Sequence, residues 1–177
     1  MWKRLKAKLK GRKGFGSIEI AICSLIILMM IGGLADMIQI MQKIDTVSQT
    51  TGYVARTIQK QGGVRTVRIQ NFYGKYTTTP VLYNNVKDMM ASNGIPEEDW
   101  KLYIAVGDKT YSITPSTSVP LVNYGYRMKV ILKVDYRWAI LSNMIPIDLK
   151  ATKDSVREVL SGYQIRNGDG MGTDLSL

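Results

Sequence analysis

Apolar residues run almost unbroken from Ile20 to Ala35, sixteen positions without a formal charge, and then thin into a stripe at Met37, Ile40, Ile44, Val47, Thr51, Val54 and Ile58. The first pattern predicts a helix apolar on every side, and the second, with its three- and four-residue spacing, an amphipathic helix. Sixteen residues reach only about 24 Å as a helix, but Phe15 to Ala35 reaches about 31 Å, close to the hydrocarbon thickness of a bilayer. No proline occurs before Pro80, so the two patterns read as one continuous helix, with a transmembrane part over 15–35 and an amphipathic extension over 36–62. Gly62-Gly63 is expected to end it.

Beyond the helix the chain reads as an exterior α+β domain over 63–166, followed by a flexible, glycine-bearing tail over 167–177. Residues 64–80 form a connection with an edge strand suggested by Val67 and Ile69. Thr79 at the N-cap and Pro80 in the first helical position open a short second helix carrying Val81, Leu82, Val86, Met89 and Met90. Gly94 closes it and Pro96 prevents its resumption. After Trp100 the period falls to two: Leu102, Ile104 and Val106 alternate, Gly107-Asp108 turns the chain, and Tyr111 and Ile113 return. A long strand from about Tyr124 to Ile140 puts Tyr126, Met128, Val130, Leu132, Val134, Tyr136 and Trp138 on one face and Arg127, Lys129, Ile131, Lys133, Asp135 and Arg137 on the other. Ser142-Asn143-Met144 is read as a turn into a last strand at Ile147, Leu149 and Ala151. The expected fold is therefore α+β: a long N-terminal helix, a short helix and an antiparallel meander of three or four strands.

Charge sharpens this picture at the N-terminus. The 177 residues carry 24 Lys+Arg against 14 Asp+Glu, a formal net charge of +10. Seven of the bases, from Lys3 to Lys13, fall in the leader over 1–14, which has no acid; the rest of the chain is nearly neutral. A basic cluster ahead of an apolar segment, with none comparable behind it, orients the N-terminus to the cytoplasm and the C-terminal domain to the outside. Nucleic acid is not an expected partner, because Arg127, Lys129, Lys133 and Arg137 lie on the strand face opposite Tyr126 and Tyr136, and stacking needs both on one surface. Zero His and the lone Cys23 remove the usual zinc sites, the histidine-dependent nucleophiles and any intrachain disulfide. Asp88, Glu97, Glu98 and Asp99 read as a solvated acidic surface. Asn167, Asp169 and Asp174 lack the spacing of a calcium loop. No catalytic, metal or cofactor site is assigned, and the chain is not expected to be an enzyme.

One carboxylate stands out. Glu19 falls inside the transmembrane part, where a charge costs about 2.5–3.5 kcal/mol on insertion scales, so it needs a partner. Cleavage between Gly14 and Phe15 would make Glu19 the fifth residue of the mature chain, and the new amine of Phe15 could neutralise Glu19 of a neighbouring subunit. Lys13-Gly14-Phe15 with Glu19 resembles the class III signal of type IV prepilins, although Gly16-Ser17-Ile18 replaces that family's usual Thr-Leu-Ile. Ser17-Ile18-Glu19-Ile20-Ala21 is similar to the (A/S)-V-E-F-A pattern of TadE-like proteins, minor pilin-like components of tight-adherence pili. The likeness covers roughly residues 10–62. It implies a structural subunit of a type IV or Tad-like pilus, conjugation or secretion apparatus, cut by a prepilin peptidase. Gly14 and Phe15 would be the processing residues, and Phe15 and Glu19 the assembly residues. Implied partners are the membrane, the peptidase, other pilin-like subunits and an assembly platform; the location is the cytoplasmic membrane, single-pass, and after assembly a surface filament. Two other readings stand beside it: an uncut single-pass anchor carrying an exterior scaffold or binding domain, and a secretory signal peptide cut after Ala35, where Gly33 and Ala35 supply small residues.

Overall fold

The computed structural model describes residues 2–164 apart from 70, 71, 73 and 146–148, with side chains from residue 18 onward. The expected flexible tail over 167–177 lies outside the described residues. The fold is α+β: a long N-terminal helix, a short second helix and a four-stranded antiparallel sheet, with a further short helix between the last two strands. The chain divides into two compact units, Met1–Ile40 with Arg137–Lys150, and Met41–Tyr136 with Ala151–Leu177.

The long helix, α1, runs unbroken over Trp2–Gln61. In the second unit its buried positions are Val47, Thr50, Thr51, Gly52, Val54, Ala55, Ile58 and Gln61, and Val47, Thr51, Val54, Ile58 and Gln61 keep the three-and-four spacing of a single stripe. Thr51 and Thr57 turn their hydroxyls back to the carbonyls of Val47 and Tyr53, while the Thr50 hydroxyl is buried without a hydrogen-bond partner. Gly62, at φ +70°, ends the helix. A Cβ there would stand 2.6 Å from the Val122 carbonyl oxygen, so both the backbone angle and the space demand glycine.

Helix α2, Thr79–Ala91, buries Thr79, Leu82, Val86 and Met90 and ties to α1 where Asn85 Nδ2 donates to the Tyr53 hydroxyl. The N-cap is Thr78 rather than Thr79, and neither threonine caps through its side chain: the Thr79 amide donates to the Arg65 carbonyl and its hydroxyl is buried without a partner. Gly94 closes the helix as expected, at φ +68°, with Ile95 N–H bonded to the Met90 carbonyl and Gly94 N–H to that of Ala91.

The strands are β1, Trp100–Val106, β2, Lys109–Ser112, β3, Arg127–Arg137, and β4, Lys150–Leu160, in the order β2-β1-β3-β4. Positive φ at Gly107 alone gives the β1–β2 hairpin a primed turn that suits the twist of its strands. Trp100, Leu102, Ile104 and Val106 of β1 lie opposite Val134, Leu132, Val130 and Met128 of β3, and all eight are buried. At roughly 1.5–3 kcal/mol per large apolar side chain, these cross-strand pairs are the main stabilising layer of the sheet.

Four expectations need correction. Residues 64–80 contribute one isolated bridge, Val64 to Val119, and no strand among the described residues; Val67 is exposed while Ile69 joins Tyr76 and Leu121 in a small buried cluster. The long strand stops at Arg137 instead of Ile140. The expected turn at Ser142–Met144 belongs to a short helix, α3, over Ala139–Met144. The last strand begins at Lys150 and continues to Leu160, well past Ala151. It holds to β3 by polar pairs that step in opposite directions along the two strands: Thr152 with Asp135, Lys133 with Asp154, and Lys129 with Glu158.

Candidate functional site

The region the sequence singles out is the N-terminal half of α1. Gly14 and Phe15 lie within the helical backbone, and their side chains lie outside the described residues. Glu19 is exposed on the helix surface and makes no ion pair among the described residues. From Ile18 onward the large apolar side chains are exposed one after another: Ile20, Ile22, Leu25 to Leu28, Met30, Ile31, Leu34, Met37, Ile38 and Met41. The helix is long and apolar enough to cross a membrane, and almost none of its apolar window is buried, unlike the core helix of a globular protein. Cys23 is exposed within this band as a free thiol.

Asp36 interrupts the band, and it is where sequence reasoning saw only the return of polarity. Its carboxylate is 1% exposed. Oδ1 accepts from the Ile140 amide at 2.9 Å and Oδ2 from the Leu141 amide at 2.8 Å, with a further contact from Ile140 at 3.1 Å. The N-cap residue of α3 is Trp138, which has no acceptor oxygen in its side chain, so Asp36 satisfies the free amides in its place from 104 residues upstream. The positive end of the short helix also faces the carboxylate.

The glycines next to Asp36 make room for this contact. A Cβ at Gly32 would stand 3.0 Å from Ile140 Cγ2 and 3.3 Å from Met144 Sδ, and one at Gly33 3.6 Å from Leu141 Cδ1. The loop that carries α3 is closed at its base by Trp138 N–H on the Leu149 carbonyl and by Leu149 N–H on the Ser142 hydroxyl. The signals for this arrangement in the sequence were the glycine pair and Asp36, but their partners are backbone amides with no signature of their own.

In the second unit, the cation strip of β3 is partly neutralised. Lys129 and Lys133 face Glu158 and Asp154 of β4, and the Lys133 ammonium lies 5.9 Å from the ring centre of Tyr103. Among the described residues no three His, Cys, Asp or Glu side chains gather where a metal ion would fit. An open groove is lined by Thr57, Lys60, Phe72, Lys75 and Gly162, with no carboxylate among its lining residues. Glu97 bonds Lys87 and the Tyr83 hydroxyl, and these contacts, the lysine first, hold its carboxyl below the usual range.

The chain matches no protein-family model, no curated protein and no solved structure. Two carboxylates punctuate the apolar half of α1: Glu19, exposed, and Asp36, buried.

Proposed function

We propose that the protein is a pilin-like structural subunit, anchored in the cytoplasmic membrane by α1, cut by a prepilin peptidase between Gly14 and Phe15, and assembled into a type IV or Tad-like pilus, conjugation or secretion apparatus. The observation that supports this reading is the division of labour along one unbroken helix. Its first half exposes apolar side chains from Ile18 to Met41, and from Val47 onward it forms part of the core of an antiparallel α+β domain. Such a helix serves a subunit whose apolar half is held first by lipid and then by neighbouring subunits. Glu19, exposed and without an ion-pair partner among the described residues, is open to the Phe15 amine of a neighbour.

Co-expression with a prepilin peptidase tests the reading directly. N-terminal sequencing of the membrane fraction is expected to find Phe15, with Met1 retained when the peptidase is left out. Retention of Met1 in its presence overturns the reading, and an N-terminus at Asp36 assigns the segment to a secretory signal instead. Glu19→Ala is expected to insert at normal levels and fail to assemble; assembly at the unaltered level removes the role given to Glu19.

A second reading, an uncut single-pass anchor for an exterior scaffold domain, is favoured by one observation. The large apolar side chains of α1 stay exposed as far as Met41, so Ile20–Met41 is long enough to cross a bilayer with Glu19 left in the headgroup region and without a subunit partner.

A further inference from the structure

We propose that the groove beside the C-terminal end of α1 binds an anionic glycan, a short oligosaccharide whose sugar rings carry carboxylate or phosphate groups. This rests on the exterior placement of the domain, which both readings above share. Between Asp45 and Asp88 the chain carries six bases, Arg56, Lys60, Arg65, Arg68, Lys75 and Lys87, and no acid. Two of them, Lys60 at the end of α1 and Lys75 in the connection to α2, line the groove. Both are exposed, and neither makes an ion pair among the described residues. The carbonyls of Gln59 and Gly62, which Lys60 could serve at the helix end, already accept from the Gly162 and Val122 amides. Two ammonium groups beside one open groove, with no carboxylate in its lining, leave their charge for an anion from outside.

The rest of the lining favours a sugar as the bearer of that anion. Thr57, Gln59 and Thr77 offer hydroxyl and amide groups, which both donate and accept as sugar hydroxyls do. Phe72 adds one apolar ring, stacked on Tyr163 with centroids 5.6 Å apart and edge-to-face with Tyr76 at 5.2 Å. A single ring with one face already covered suits the CH face of one sugar, whereas a nucleic-acid strand needs a platform for each successive base. The walls are set before any ligand arrives. The buried Gln61 amide donates to the Thr77 carbonyl and accepts from the Thr77 N–H, and the Gly162 N–H holds the Gln59 carbonyl at 2.7 Å. The space beside them, about 740 Å³, falls within the roughly 300–1,000 Å³ usual for ligand sites and takes a short oligosaccharide rather than a single ion.

Calorimetric titration of the full chain in detergent with trigalacturonate, a phosphorylated maltotriose and plain maltotriose tests it. One or both anionic sugars are expected to bind saturably, more weakly as salt is raised, and about tenfold or more tightly than plain maltotriose; which of the two binds identifies the anion. Lys60→Gln with Lys75→Gln is expected to lower that affinity about tenfold, and Lys60→Arg with Lys75→Arg to retain most of it. Lys101→Gln with Lys109→Gln, which removes two exposed lysines of β1 and β2, is expected to leave it unchanged. No saturable binding of either anionic sugar overturns the proposal, as do equal affinity for plain maltotriose and an equal loss in the Lys101–Lys109 control. Tighter binding of a short oligothymidylate assigns the groove to nucleic acid and also overturns it. Sugar binding does not depend on where the leader is cut, so its failure leaves the pilin reading to its own N-terminal test.

Discussion

Two carboxylates flank the apolar stretch, and their surroundings invert what the sequence suggests of them. Glu19 attracts attention because it stands among isoleucines, yet it is exposed; Asp36 reads as the first polar residue after the span, yet it is buried and triply bonded. The inversion was not legible because a capping carboxylate normally precedes its helix by two or three residues, and here the helix lies a hundred residues on. Gly32-Gly33 gave half the signal, the possibility of a close approach, without naming what approaches. Asp36→Ala is expected to weaken the docking of α3 by about 1–2 kcal/mol, the worth of a lost N-cap, while Asp36→Asn retains most of it. Hydrogen exchange at the Ile140 and Leu141 amides reads the difference; equal protection in all three proteins would refute the capping role.

Among the elements, β3 was legible and β4 was not, for one physical reason. The strict alternation of Met128, Val130, Leu132, Val134 and Tyr136 reflects a central strand with one buried face, and its burial follows the predicted faces residue by residue. Strand β4 is an edge strand, exposed along most of its length, so its eleven residues carry no hydrophobic period to read. Lys153 and Arg157 alternate with its β3-facing acids, and Arg157 reaches α1, where a Cβ on Gly52 would stand 3.6 Å from its guanidinium carbon. Charges on both faces of a long edge discourage a second chain from pairing with it. The energetic contrast is measurable. Leu132→Ala is expected to cost about 2–5 kcal/mol of stability in denaturant titrations, and Asp154→Ala, which removes a solvated ion pair, no more than about 0.5 kcal/mol. Similar losses in both variants would contradict this division between a core strand and a polar edge.

For the molecule as a whole, the fold class and the single long helix were readable because they depend on period and on the absence of proline, both one-dimensional properties. The pH dependence was not, since it arises from groups brought together by folding. Burial raises the Tyr83 hydroxyl to about 12, helped by its hydrogen bond to Glu97, and burial alone raises Tyr136 to about 12. In both, the neutral phenol is the favoured form in the folded state. Their contribution is therefore complete below the ordinary tyrosine value of 10.0 and is lost as pH climbs from there to about 12. Burial raises Tyr76 as well, so a phenolate absorbance titration of the folded protein is expected to show at least three tyrosines ionising late, together with falling thermal stability over the same interval. Ionisation of all the tyrosines near their ordinary value would contradict it.

The distance in sequence between Asp36 and its amides also has a meaning in time. A ribosome adding about 5–20 residues per second needs roughly 5–20 s to pass from Asp36 to Ile140, 104 positions later. Throughout that interval Asp36 is without the two amides that hold it in the folded chain. Only when β3 has been made and α3 has closed over the carboxylate do the Ile140 and Leu141 amides solvate it. The nascent and finished chains thus carry two different helix surfaces from one sequence, and the change between them is made by the last third of the chain.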